Sequence, residues 1–260
     1  MKFVGKQAIL KRNQPDFTIF VKDDKSLVTN VDFWANEQLT TFLRNCFPNH
    51  VVIGEESVNK TYLQNAPFIW YVDPIDGTKQ YTRGEDHFYI LVGLVINGIP
   101  EFGFFYKPSE DLFIYTDSQT SISIDMNGAT IDNPVITWKK PGTLVLKYVN
   151  SNQKLFLDHH FGQKKHPYIQ DMVSQMGPIF KESNGYLGFR RTYFWDICAP
   201  AAIMSKLGFQ HSYFDNKGNP LLMNSGLVKC RSHFSLPNDA PLELISWFNE
   251  EIKHLPDEFA

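Results

Sequence analysis

Phe68-Ile69-Trp70-Tyr71-Val72 is an uninterrupted apolar run that halts at Asp73-Pro74-Ile75-Asp76-Gly77-Thr78. Such a run, with no polar alternation, reads as a strand buried on both faces. The chain must therefore build a layer of structure on each side of it. The strand then delivers two carboxylates, Asp73 and Asp76, at its end. Pro74 fixes the backbone there, and Gly77 lets the chain pass close to a ligand. Thr78-Lys79-Gln80-Tyr81 reads as the first turn of a helix, whose N–H groups form an anion site suited to phosphate.

The surrounding pattern mixes helices with antiparallel strands. A turn-rich stretch, Lys22 to Ser26, precedes a helix starting at Thr29. Val31, Trp34, Ala35, Leu39, Phe42, Leu43 and Cys46 recur at the spacing of one helical face, and Pro48 closes it. Val51-Val52-Ile53 is a short strand running into Gly54-Glu55-Glu56-Ser57. Phe88 to Ile96 and Ile99 to Tyr106 flank Asn97-Gly98, a strong hairpin signal, and Leu112 to Tyr115 adds a third strand. The first half is expected to pack helices on an antiparallel sheet. The loop-rich stretch Thr116 to Pro134 is the expected change of subdomain, dividing the chain into 1–134 and 135–260. Beyond it, Thr143 to Tyr148 and Gln210 to Phe214 read as strands. His166 to Gln175, Cys198 to Leu207 and Pro241 to His254 read as helices.

The residues that carry chemistry are acids at strand and helix ends: Glu55, Glu56, Asp73, Asp76 and Asp196. If the fold gathers them, they repel one another and resist desolvation unless cations neutralise them. The side-chain donors are all oxygens, which selects a hard ion, Mg²⁺ first. Bland readings stand beside these. Thr29-x-x-Asp32 fits a capping box, and Asp196 could be a helix N-cap. Cys198 reads as a small core residue, His159 and His160 as surface histidines. Arg190 and Arg191 read as solvated surface, with a second-phosphate contact as the alternative.

Gly54-Glu55-Glu56-Ser57, Asp73-Pro74-Ile75-Asp76-Gly77-Thr78 and Trp195-Asp196-Ile197-Cys198-Ala199-Pro200 resemble, in order, the three signature motifs of the inositol monophosphatase superfamily. Val28-Thr29-Asn30-Val31-Asp32 is similar to its upstream Val-Thr-x-x-Asp element, and the turn Asp215 to Leu221 matches too. The likeness runs from about residue 20 to about residue 225. It implies a layered α+β fold of α/β/α/β/α type. It also implies a Mg²⁺-dependent, lithium-sensitive phosphomonoesterase with two or three ions per site. By that resemblance Glu55, Asp73 and the Ile75 carbonyl hold one ion, and Asp73, Asp76 and Asp196 a second. Glu55 and Thr78 position and deprotonate the attacking water, Asp32 orients Thr78, and the amides of Gly77 and Thr78 bind the phosphate.

Trp-Asp-Ile-Cys-Ala-Pro and Thr-Lys-Gln-Tyr are closer to the 3'(2'),5'-bisphosphate nucleotidase branch. The expected reaction is 3'-phosphoadenosine 5'-phosphate to AMP and phosphate. Inositol-1-monophosphatase is the alternative, sugar bisphosphatase comes third, and an inactive binding or regulatory relative is the reading from a different class. Glu182 to Phe194 is short and lacks the family's Gly-Ser-x-x-x-Lys helix, which puts the pocket walls in question and leaves the acids untouched.

Composition limits the partners. Lys plus Arg number 25 against 28 Asp plus Glu, a formal net charge of −3, without the basic excess of a nucleic-acid binder. Three cysteines, none in a C-x-x-C pair, argue against a disulfide framework. Met1 to Phe17 is charged throughout and no apolar run reaches the ~20 residues of a membrane span. A cytoplasmic protein acting on a small phosphorylated metabolite is expected, with a homodimer only by the family's habit.

Overall fold

The computed structural model describes residues 1–57, 65–117, 121–131, 136–138, 144–161, 174–179 and 183–255. The chain opens with helix α1 (Lys2–Lys11) and a two-stranded hairpin, β1 (Ile19–Val21) and β2 (Leu27–Thr29), that feeds helix α2 (Asn30–Cys46). Thr29 caps α2 through a capping box. Its hydroxyl accepts from the Asp32 N–H at 3.2 Å, and the Asp32 carboxylate accepts from the Thr29 N–H at 2.8 Å. Val31, Ala35, Leu39 and Leu43 are buried as their spacing predicts, but Phe42 and Cys46 are exposed. The buried stripe is narrower than the apolar pattern implies.

A seven-stranded sheet follows in chain order: β3 (Val51–Gly54), β4 (Phe68–Asp76), β5 (Tyr89–Ile96), β6 (Ile99–Lys107), β7 (Leu112–Thr116), β8 (Ile122–Met126) and β9 (Ala129–Ile131). Helix α3 (Thr78–Thr82) interrupts it after β4. Asn97 and Gly98, both at positive φ (50° and 89°), turn β5 into β6 as expected. Two features differ from the sequence reading. The pair β3–β4 is parallel, not antiparallel, since residues 55–67 supply the length a parallel crossover needs. The stretch read as loop-rich contains β8 and β9, which extend the first sheet.

The second half contributes β10 (Leu144–Lys147), helix α4 (Ser151–Phe161), β11 (Gly185–Gly188), β12 (Thr192–Tyr193), helix α5 (Phe194–Lys206), β13 (Phe209–Phe214), β14 (Lys229–Cys230), β15 (Ser232–Pro237) and helix α6 (Leu242–Glu251). A four-stranded sheet runs β10-β11-β15-β13, and β12 pairs with β14 in a separate ribbon. Helix α4 was not legible in the sequence. Of the helix expected at His166 to Gln175, residues 166–173 lie outside the described residues, and Ser174–Met176 form a single 3-10 turn. Helix α5 starts four residues before its expected start, and α6 ends three residues before its expected end, in a further 3-10 turn.

Packing sets the layer order. Val4, Ala35, Leu39 and Leu43 of α1 and α2 cover one face of the first sheet through Trp70, Val72, Ile90 and Tyr106. Helix α5 covers the other face, through Tyr71, Leu91, Val95 and Phe105, and also meets Phe209 and Tyr213 of the second sheet. The far face of that sheet packs on Leu157 and Phe161 of α4 and Leu244 and Phe248 of α6. The result is the expected α/β/α/β/α order. Helix α5 is its middle layer, and ten of its 13 residues are buried, as suits a helix with no solvent face.

The approach of α5 to the first sheet depends on two glycines. A Cβ on Gly103 would lie 2.2 Å from the Ala199 carbonyl oxygen, and one on Gly93 would lie 2.4 Å from Cys198 Sγ. Both distances are far inside van der Waals contact. Among the described residues no helix is long and apolar enough to cross a membrane.

Candidate active site

The parallel pairing of β3 and β4 brings their C-terminal ends out together. Gly54 pairs with Val72, and the Glu55 N–H donates to the Val72 carbonyl at 2.9 Å. Glu55 therefore leaves its strand beside Asp73. Strand β4 then bulges between Asp73 and Asp76. Asp73 Oδ1 accepts the Ile75 N–H at 3.0 Å, which folds Asp-Pro-Ile into a tight turn. Gly77 caps α3 at φ 93°, a conformation strained for any residue with a Cβ. The first hydrogen bond inside α3 is Tyr81 N–H to the Gly77 carbonyl at 2.9 Å, so the amides of Thr78 and Lys79 stand outside the helix ladder.

Helix α5 supplies the remaining acid. Asp196 lies in its first turn and takes a backbone hydrogen bond from Tyr193, which is the N-cap; Asp196 is thus not the N-cap itself. Pro200, inside α5, has no N–H to give the carbonyl four residues earlier, that of Asp196. Asp73 and Asp76 are buried and Asp196 opens toward a cleft. The charges of these acids act on one another. Burial raises the Asp73 carboxyl well above the carboxylate range, and the charges of Glu55, Asp76, Asp196 and Asp32 raise it further. Asp196 is raised likewise, first by burial and then by Asp76 and Glu55.

Asp32 combines the two roles weighed for it. While Oδ2 closes the α2 cap, Oδ1 lies 3.1 Å from the Thr78 hydroxyl, which is also 3.0 Å from the Ile75 carbonyl. Burial raises Asp32 to about 6. Glu56 is raised to about 7, by burial and then by Glu55. Glu55 and Glu56 are bridged by the Lys22 ammonium, 2.9 Å from Glu55 Oε1, carried on the turn between β1 and β2. The sequence marks that segment only as a turn. Cys198 is buried, and burial raises its thiol, as suits an inert core residue. His159 and His160 are exposed on α4.

Residues 2–241 match the model of the inositol monophosphatase family. The chain belongs to this family. It is a family of phosphoric monoester hydrolases. The chain is 34% identical over 102 residues to the bifunctional phosphatase IMPL2, chloroplastic, of Arabidopsis thaliana, 39% of this chain and 30% of that protein. It is 25% identical over 209 residues to the 3'(2'),5'-bisphosphate nucleotidase CysQ of Buchnera aphidicola subsp. Acyrthosiphon pisum, 76% of each. An IMPase/NADP phosphatase crystallised with Mg²⁺ and phosphate superposes with a TM-score of 0.71 at 19% identity, over 95% of this chain and 89% of that one. At that identity the likeness speaks for the fold.

The family's implied Mg²⁺ fits the donor set chemically: every side-chain donor is an oxygen, and the repulsion that raises Asp73 and Asp196 is what a divalent ion relieves. Among the described residues, no three acidic, histidine or cysteine side chains stand close enough together, as they lie, to hold an ion. Glu55 is held instead by Lys22.

These groups give the metal-free protein a two-sided pH profile. The raised carboxyls of Asp32, Glu56, Asp73 and Asp196 favour the folded state at low pH, and that stability is lost as pH rises through their folded values. The buried imidazoles of His211 and His233 act oppositely. Burial pushes both down to about 3, so stability is lost as pH falls below their ordinary 6.5. In chelator the four carboxyls outweigh the two imidazoles above about pH 4.5, so Tm is expected to peak at about pH 4 and to fall as pH rises toward ~8. Saturating Mg²⁺ should lift the alkaline limb and leave the acid limb in place. An alkaline limb indifferent to Mg²⁺ in a calorimetric scan would contradict this account of the acids.

Proposed function

We propose that this chain is a Mg²⁺-dependent phosphomonoesterase, and that its substrate is a 3'(2'),5'-bisphosphate nucleotide. The convergence of Glu55, Asp73, Asp76 and Asp196 carries the first part: a family member has little physical reason to hold four mutually repelling acids together except to bind cations. Similarity to the Buchnera nucleotidase over 76% of the chain, together with Cys198-Ala199-Pro200 after Trp195-Asp196-Ile197, supports the second.

In this reading Glu55, Asp73, Asp76, Asp196 and the Ile75 carbonyl are the donors to the ions. Bound Mg²⁺ supplies charge neutralisation and Lewis acidity at the phosphoryl oxygens. The chain's own groups do the rest. The Thr78 hydroxyl has one proton; given to Asp32, it leaves the oxygen's lone pairs to accept from a water. Above pH ~6 Asp32 is ionised and holds that orientation. Glu55 accepts the water's other proton. The amides of Gly77 and Thr78 receive the phosphate, with glycine allowing the left-handed turn at 77 where a Cβ would lie 2.9 Å from the His87 carbonyl oxygen.

A phosphate-release panel with and without Mg²⁺ tests this. Release from 3'-phosphoadenosine 5'-phosphate should depend on Mg²⁺ and exceed that from inositol 1-phosphate and fructose 1,6-bisphosphate. Preference for inositol 1-phosphate would move the chain to the inositol branch. No release from any of the three would favour an inactive binding relative.

A further inference from the structure

Beside Asp196 the surface opens into a cleft of about 660 Å³, in the size range of small-molecule sites. The charged residues lining it are unbalanced: Lys147, Arg190, Arg191 and Lys229 against Asp24 and Asp196, four cations to two acids. Asp196 is already committed to the acid cluster, which leaves the cations in greater excess. Lys147 and Lys229 are half-buried, and Arg190 and Arg191 are exposed at the rim. Tyr193 of β12 pairs with Lys229 of β14, so the ribbon places Lys229 across from the Arg191-Thr192-Tyr193 segment. The Lys229 ammonium lies 5.8 Å over the Tyr193 ring, and Tyr193 stacks on Trp195 at 4.4 Å, one residue before Asp196. Arg190 lies 4.4 Å over the Tyr148 ring.

From this we infer that Arg191 and Lys229 form a second-anion subsite that selects substrates carrying two phosphoryl groups. The inference rests on the phosphatase reading of the acid cluster and names what the same site takes. Like charges lining one cleft repel. Burial and the Arg191 charge lower the proton affinity of Lys229, a penalty that an anion between them removes. The ribbon runs into α5 directly through Tyr193, and Arg191, Lys229 and Asp196 line the same cleft. The floor of the cleft is polar and uncharged: the neutral His233 imidazole lies 2.9 Å from Gln175 Nε2 and stacks on Tyr186. Such a floor accommodates the sugar or base between two phosphates.

The test compares wild type with Arg191→Ala and Lys229→Ala, on 3'-phosphoadenosine 5'-phosphate and on 3'-AMP, which offers the same scissile ester without the second phosphate. The ratio of kcat/KM for the two substrates should fall at least about tenfold in each variant. An unchanged ratio overturns the inference while leaving the phosphatase reading intact. Calorimetry with 5'-AMP and adenosine separates the two readings if wild type turns over neither substrate. Wild type should bind 5'-AMP at least about tenfold tighter than adenosine, and each variant should lose that margin. Equal affinity for the two ligands in wild type overturns the inference regardless of activity.

Discussion

Asp73→Asn is expected to fold normally and lose about a thousandfold or more of its phosphatase turnover, on the order of 4 kcal/mol of transition-state stabilisation. Asn has the shape of Asp, and its Oδ1 keeps the 3.0 Å bond from the Ile75 N–H that folds the turn. The substitution removes a charge that both proposed ions share. It also removes a buried charge pressed by Glu55, Asp76, Asp196 and Asp32. In chelator the variant should therefore melt no lower than wild type, and higher at pH 8, where the cluster is most strained. Circular dichroism melts and phosphate release check the two halves. Activity within tenfold of wild type would remove Asp73 from the site. Loss of fold would show that the turn, not the charge, is what matters.

Gly103→Ala should have the opposite signature, with stability lost first and activity following. The added methyl would sit 2.2 Å from the Ala199 carbonyl oxygen, a backbone atom that no rotamer change can move. Either α5 or β6 must shift, at a cost of about 3 kcal/mol, lowering Tm by roughly 6–12 °C. Helix α5 is what brings Asp196 to Asp73, so Mg²⁺ binding should weaken together with the melt. An alanine variant that melts within 2 °C of wild type would mean that α5 does not ride this closely on the sheet.

The two variants mark which parts of the molecule the sequence discloses. The buried strand from Phe68, the capped helix at Thr29 and the Asn97-Gly98 hairpin are local events, decided by neighbours within a few residues, and each is legible, although the strand runs on through a bulge to Asp76 instead of halting at Asp73. The parallel pairing of β3 with β4 is not, because it depends on residues such as Val51 and Ile69, far apart in sequence, meeting edge to edge. Strand β8 hides inside a polar stretch, although Ile122 and Ile124 alternate with Ser121, Ser123 and Asp125 as a half-buried strand should. Helix α4 buries only Gln153, Leu157 and Phe161, too thin an apolar stripe to stand out. At the site, the acids are visible because carboxylates beside a buried strand are costly. Lys22, Lys147 and Lys229 are not, since a lone lysine reads as solvated until the fold sets it beside an acid pair, an acid cluster or another cation.

All of this depends on acids from both halves of the chain meeting to hold divalent ions. Isothermal titration of Mg²⁺ into wild type, Asp73→Asn and Asp196→Asn tests that most directly. Uptake at millimolar Mg²⁺ by wild type, abolished by the first substitution and sharply weakened by the second, is the predicted result. No uptake by wild type, or uptake indifferent to Asp196, would contradict it.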